Sequence, residues 1–170
     1  ATALTVITAH RRLTGAHIFA PEERAQWRQC GHKWSRSMGA GRTVRLEVRP
    51  SPIEGMGLFW DDACDGEDGQ RLGRFSGRVV FASDSQDAAK DWALKQVDDR
   101  LIMLRLDGQW AIVDTRGSVF EFANHAEEGD AVLHVTEAGF VELKANVKQS
   151  TELTWYYGRL HAASHIHQVG

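Results

Sequence analysis

Three short stretches gather residue types that could bind a ligand or carry chemistry. Ser51-Pro-Ile-Glu-Gly-Met-Gly-Leu-Phe59 sets two glycines one residue apart, Phe122-Ala-Asn-His125 places an amide beside an imidazole, and Ser150-Thr-Glu-Leu-Thr-Trp-Tyr-Tyr-Gly158 ends in a run of aromatic rings. A glycine lets the backbone approach a ligand that a Cβ would block. Amide and imidazole side chains both donate and accept hydrogen bonds. Taken singly, a Gly-x-Gly is a turn, an Asn-His pair is structural, and two tyrosines before a glycine are core and rim. Only their joint order carries a functional reading. Asp114 and Glu152 have the look of paired acid/base carboxylates, but they read as structural groups that cap turns or bond backbone amides. His161, His165 and His167, with Cys30, His32 or Cys64, hold the donor types of a zinc site. Their spacing is no zinc motif and tetrahedral convergence is not legible in a sequence, so no metal ligand is assigned. There is no Walker loop and no dinucleotide-binding glycine fingerprint.

The elements that must position these stretches are mostly strands. Val44, Leu46 and Val48 alternate after Gly39-Ala40-Gly41, which begins strand periodicity. Before that point, Pro21 to Trp34 has mixed helical character, with Pro21, Glu22 and Glu23 suiting a first helical turn. Glycines 55, 57, 66 and 69 mark turns, and Leu72 to Phe81 reads as strand broken by Gly73 and Gly77. Ser83 with Gln86 forms a capping-box pattern ahead of Ala89, Trp92, Ala93, Gln96 and Val97 at helical spacing, so one helix is inserted among the strands. Ile102, Leu104 and Leu106 lead into Asp107-Gly108, with Trp110, Ile112 and Asp114 beyond, the strongest hairpin signal in the chain. A second pair, Ala131 to Val135 and Phe140 to Ala145, is joined through Gly139. The sum is an α+β domain, mainly β, built of several small sheets. It is divided into an extension over 1–42 packed on the main domain, a main domain over 43–160 and a tail over 161–170.

The chain has 170 residues, 25% of them charged and 42% hydrophobic, with a formal net charge of −3. That describes one folded domain with an extension rather than a disordered chain. The slight acidic excess carries no global footprint of nucleic-acid binding. Arg24, Arg28, Lys33, Arg36, Arg42, Arg45 and Arg49 make a locally basic stretch that could touch phosphate and otherwise reads as a solvated face. Two cysteines build no disulfide scaffold. No stretch approaches the roughly 18 apolar residues of a membrane span, and Ala1 to Ala9 lacks the pattern of a signal peptide. Cytosol or nucleus is the expectation.

In their order, the stretches resemble the SET-domain family of protein-lysine methyltransferases. Ser51 to Phe59 is similar to the family's opening Gly-x-Gly, and Phe75-Ser-Gly-Arg78 to its Tyr-x-Gly-Glu. Ile112-Val-Asp114, Gly117 and Phe122-Ala-Asn-His125 are similar to the strand and Asn-His segment at the cofactor site. Glu152-Leu-Thr-Trp-Tyr-Tyr-Gly158 is similar to its final tyrosine segment. The roughly 25 residues between His125 and Glu152 suit a hairpin plus a connection. The resemblance implies a SET-like fold of small sheets with one inserted helix, in which the last two segments meet in a C-terminal pseudoknot, an exception to the rule against threading.

It also implies S-adenosyl-L-methionine as cofactor and a lysine side chain as acceptor. Methyl transfer is an in-line displacement that needs an uncharged amine, and lysine starts from a pKa of about 10.4. An aromatic channel disfavours the ammonium by desolvation, and alignment removes much of the entropic cost. Tyr157 takes the catalytic tyrosine position. Glu54, Met56, Gly57, Asn124, His125 and Tyr157 take the cofactor positions, and Phe75, Phe122, Trp155 and Tyr157 the substrate channel, with Trp155 restricting it. The implied partner is a protein with a lysine-bearing basic tail, a histone first, within chromatin and in the nucleus, with no membrane. Direct nucleic-acid contact is left open.

The chain departs from the family pattern at several positions. Glu121 stands for arginine, Ala126 for serine, Tyr156 for aspartate and Thr151 for the first glutamate, and the flanking cysteine-rich regions are lacking. Glu121, Ala126 and the altered flank of the Asn-His pair favour an alternative, a catalytically weak or inactive SET-like module that binds a chromatin peptide or a partner protein. The basic stretch from Arg24 to Arg49 leaves open a third, an unrelated β-rich domain that holds nucleic acid.

Overall fold

The computed structural model describes residues 17–18, 20–96, 98 and 100–157. The strands are β1 (His17–Ile18), β2 (Arg28–Cys30), β3 (Lys33–Gly39), β4 (Arg42–Pro50), β5 (Met56–Trp60), β6 (Arg71–Arg74), β7 (Gly77–Ser83), β8 (Leu101–Leu106), β9 (Gln109–Asp114), β10 (Asn124–His125), β11 (Leu133–Val135), β12 (Phe140–Leu143) and β13 (Glu152–Trp155). Helix α1 (Ala20–Ala25) precedes β2, helix α2 (Gln86–Leu94) lies between β7 and β8, and a 3₁₀ turn (Val119–Phe122) leads into β10. One sheet runs β1-β7-β9-β8. The other runs β2-β3-β4-β5-β13-β11-β12-β6, with β10 beside β13. The architecture is the expected α+β fold, mainly β.

Alternation explains β4. Val44, Leu46 and Val48 are buried while Arg45 between them faces solvent, as a strand with one covered face requires. β5 buries Gly57, Leu58, Phe59 and Trp60 in succession, because it is flanked by β4 and β13. The β8–β9 hairpin forms as expected. Asp107 and Gly108 take φ values of 48° and 76°, and Leu106 pairs with Gln109, the geometry of a tight two-residue turn. Gly139, at φ 86°, likewise sits in the connection from β11 to β12.

Two expectations are corrected. The helical character of Pro21 to Trp34 lasts only through α1. Beyond it the chain turns into β2 and β3, and β3 pairs with β4 from Lys33 opposite Glu47 to Ser37 opposite Thr43. Burial of Trp27 and Trp34 in the main core overrides local helical propensity. Part of the segment read as an extension is thus continuous with the larger sheet. Helix α2 is capped by Ser85, whose hydroxyl accepts the Ala88 N–H at 3.2 Å. Ser83 instead accepts from Ser85 N–H.

The core has two parts. The larger joins both sheets through residues such as Leu46, Leu58, Phe75, Val113, Phe120, Leu153 and Trp155. The smaller lies under α2, with Ala89 and Ala93 on Leu101, Met103 and Ile112, and Phe81 stacked on Trp92 at 5.0 Å. Glu23 of α1 ties the early chain to β6: it pairs with Arg36 and accepts the Arg74 N–H at 3.0 Å. Gly73, at φ 124°, leaves room for both, since a Cβ there would lie 2.3 Å from Arg36 Nη1. Burial pushes the Arg36 guanidinium below its ordinary value. Among the described residues no helix is long and apolar enough to cross a membrane.

Candidate functional site

β13 is the last of the described strands in the chain yet lies inside a sheet. On one side it runs antiparallel to β5, with Glu152 opposite Phe59 and Leu153 opposite Leu58. On the other it runs parallel to β10, with Asn124 opposite Thr154 and His125 opposite Trp155, and Leu133 of β11 also faces Trp155. This insertion brings together the glycine turn, the Asn-His pair and the terminal aromatic run.

At the turn, Ser51 N–H bonds Gly55 O at 2.8 Å, and the Ser51 hydroxyl accepts the Ile53 N–H at 2.9 Å. Asn124 Nδ2 donates to Glu54 O and Met56 O, each at 3.1 Å, and to Glu152 Oε2 at 2.9 Å. Of the expected cofactor residues, Glu54, Met56, Gly57 and Asn124 therefore share one cluster. The reason for glycine at 57 differs from the expectation that a ligand approaches its backbone. A Cβ there would lie 2.6 Å from Glu152 Oε2 and 2.9 Å from Ser51 Cβ. The neighbouring Gly55 has open space where a Cβ would be, and Met56 is 36% exposed, so the outer flank of the turn is free for a ligand.

Tyr157 closes the arrangement. Its hydroxyl donates to Ala123 O at 2.6 Å and its backbone N–H to His125 Nδ1 at 3.2 Å. Its ring meets the imidazole edge-on at 5.3 Å. With Nδ1 accepting, a neutral His125 carries its proton on Nε2, which lies 3.6 Å from Glu127. Phenol and imidazole thus meet, while the Asn124 amide bonds the glycine turn and Glu152.

The expected channel residues divide. Phe75 is wholly buried and packs on Trp155 at 5.5 Å, while Phe122 and Tyr157 are partly buried against the same core. Trp155 is 2% exposed, and among the described residues its indole N–H has no hydrogen-bond partner. It lines a cavity of about 410 Å³ together with Met103, Arg105, Trp110, His134 and Tyr156. β8 ends its sheet. Because the tight turn makes Leu106 and Gln109 a hydrogen-bonded pair, the Met103 and Arg105 backbones face away from β9. Met103 N–H reaches Tyr157 O at 3.4 Å, which places this edge beside the phenol-bearing segment.

Sequence reasoning passed over Glu152 and Ser51 as site residues. In the sequence Glu152 reads as capping a turn or bonding backbone amides; in the structure it accepts from two side chains, Ser51 and Asn124. Its place in the Glu-Leu-Thr segment was the available signal. Asp114 behaves as read, accepting the Arg116 N–H at 3.0 Å. Glu121, in the arginine position, pairs with Arg100 at 3.3 Å and accepts the Gly117 N–H. Cys30 and Cys64 are free and exposed. Among the described residues no group of three potential ligands could hold a metal ion, and His161, His165 and His167 lie outside those residues.

No protein-family model matches the sequence. No curated protein matches it either. Among solved structures, the chain is similar to ctPRC2 in an autoinhibited conformation bound to S-adenosylmethionine, at a TM-score of 0.47 and 19% identity. The similarity covers 73% of this chain and 16% of that one, so this chain spans about a sixth of the protein it resembles.

Proposed function

We propose that the chain is an S-adenosylmethionine-dependent protein-lysine N-methyltransferase, acting in the nucleus on a histone or another chromatin protein. The observation that carries the reading is the meeting of Tyr157 with Ala123 and His125 where β10 pairs with β13, while Asn124 of the same strand bonds the glycine turn. Residues far apart in the chain have no reason of local folding to converge in this way. S-adenosylmethionine would supply a methyl group on a sulfonium. Asn124 and the backbone at Glu54 and Met56 would hold its amino-acid end, His125 its adenosine, and the Tyr157 hydroxyl would orient the reacting atoms. The part of the β8 edge that Tyr157 leaves unpaired would take the substrate as an added extended segment. The Trp155 ring, which lines the cavity, would disfavour a charged amine.

Incubating the chain with labelled S-adenosylmethionine and histones tests the reading. Tyr157→Phe is expected to lower transfer roughly a hundredfold, the order of loss when reacting groups are misaligned. Transfer indifferent to that change would remove Tyr157 from the mechanism. A second reading, a catalytically inactive module that binds a chromatin peptide, is favoured by the burial of Phe75 and Trp155, which fill the space a channel needs. Thermal unfolding separates the two: cofactor at about a hundredfold its dissociation constant should add about 2.7 kcal/mol. A chain that binds histone peptide without that gain is the inactive module.

A further inference from the structure

Glu152 has no role in the reading above, yet it stands where three segments of the site meet. Both its oxygens lie 2.8 Å from the Ser51 hydroxyl, and Oε2 accepts from Asn124 Nδ2 at 2.9 Å. Gly57 leaves the room this carboxylate occupies. The other two neighbours of Asn124 Nδ2 are the carbonyls of Glu54 and Met56. All three contacts are acceptors, so a reversed amide would set its oxygen against three oxygens. The carboxamide therefore has one stable orientation, with its nitrogen inward and its oxygen turned out from the cluster on a partly exposed side chain.

We propose that Glu152 is a positioning residue that locks the Asn124 carboxamide so that its oxygen accepts a hydrogen bond from a primary ammonium, that of the amino-acid end of S-adenosylmethionine. This rests on the functional reading above. A bond from an amide to an ionised carboxylate is stronger than one between neutral groups. The Ser51 hydroxyl in turn fixes the carboxylate. An amide held in its binding orientation before the ligand arrives spares the ligand the cost of ordering it.

Calorimetric titration of the full chain with S-adenosylhomocysteine and with 5′-methylthioadenosine, which lacks the ammonium, tests this. Glu152→Ala should weaken S-adenosylhomocysteine roughly tenfold, the effect of one hydrogen bond to a charged group, and leave 5′-methylthioadenosine unchanged. Glu152→Gln, which keeps an acceptor for the amide, should restore most of the loss, and Ser51→Ala should fall between. In turnover, KM for the cofactor should rise with kcat near that of the unaltered chain. Equal binding of S-adenosylhomocysteine by folded Glu152→Ala, or equal losses for both ligands, would overturn the assignment. If Glu152→Ala does not fold, the same comparison on Ser51→Ala decides. An unaltered chain that binds neither ligand overturns the methyltransferase reading itself, and the role of Glu152 with it.

Discussion

The β8–β9 hairpin and the insertion of β13 hold their strands by opposite means. In the hairpin, register runs unbroken from Leu101 opposite Asp114 to Leu106 opposite Gln109, and the turn between them is two residues long. Little loop entropy is lost in closing it. β13 instead meets β5 and β10 through short runs of pairs with partners distant in the chain, and polar side chains add what the backbone ladders lack. Ser51 and Asn124 each donate to Glu152 across those distances. The hairpin is a self-contained unit, whereas the site exists only once the whole chain has come together.

That comparison can be broken by experiment. The largest effect is expected from Leu153→Ala. Leu153 is wholly buried in β13, and its truncation should cost roughly 3–4 kcal/mol in urea unfolding and abolish cofactor binding. Cofactor binding that survives the loss would mean that the site does not depend on the insertion. Next comes Glu23→Ala, which strips the half-buried Arg36 of its partner. About 3 kcal/mol is expected, the lower end for such a pair, because Arg36 keeps 16% of its side-chain surface in solvent. Cofactor affinity should not change, since this pair ties α1 to β6 rather than to the site. The smallest effect belongs to the hairpin. Asp107→Ala should cost under about 1 kcal/mol, because alanine tolerates φ of 48° less well than aspartate, and Asp107→Gly should cost nothing or stabilise. A larger loss would show that the turn carries tertiary weight.

The hairpin, the alternation in β4 and the connection through Gly139 were legible because each depends on residues near in sequence: turn chemistry, or a period of two set by one buried face. The end of α1 was not legible, since Trp27 and Trp34 are drawn into a core whose other walls come from remote strands. The cap of α2 was read two residues early, because Ser83 and Ser85 offer similar hydroxyls and only the path of the backbone selects between them.

By itself the sequence determined strand β4, the β8–β9 hairpin and the β11–β12 pair, and which short stretches hold the polar and aromatic residues of the candidate site. Tertiary structure alone decided that Gly57 makes room for Glu152 and that Trp155 lies with Phe75 inside the core. It also decided that the Tyr157 hydroxyl ends on Ala123 O. Period and turn type are properties of neighbouring residues. Which carboxylate fills the space beside a glycine depends on strands that meet only after the chain has closed on itself.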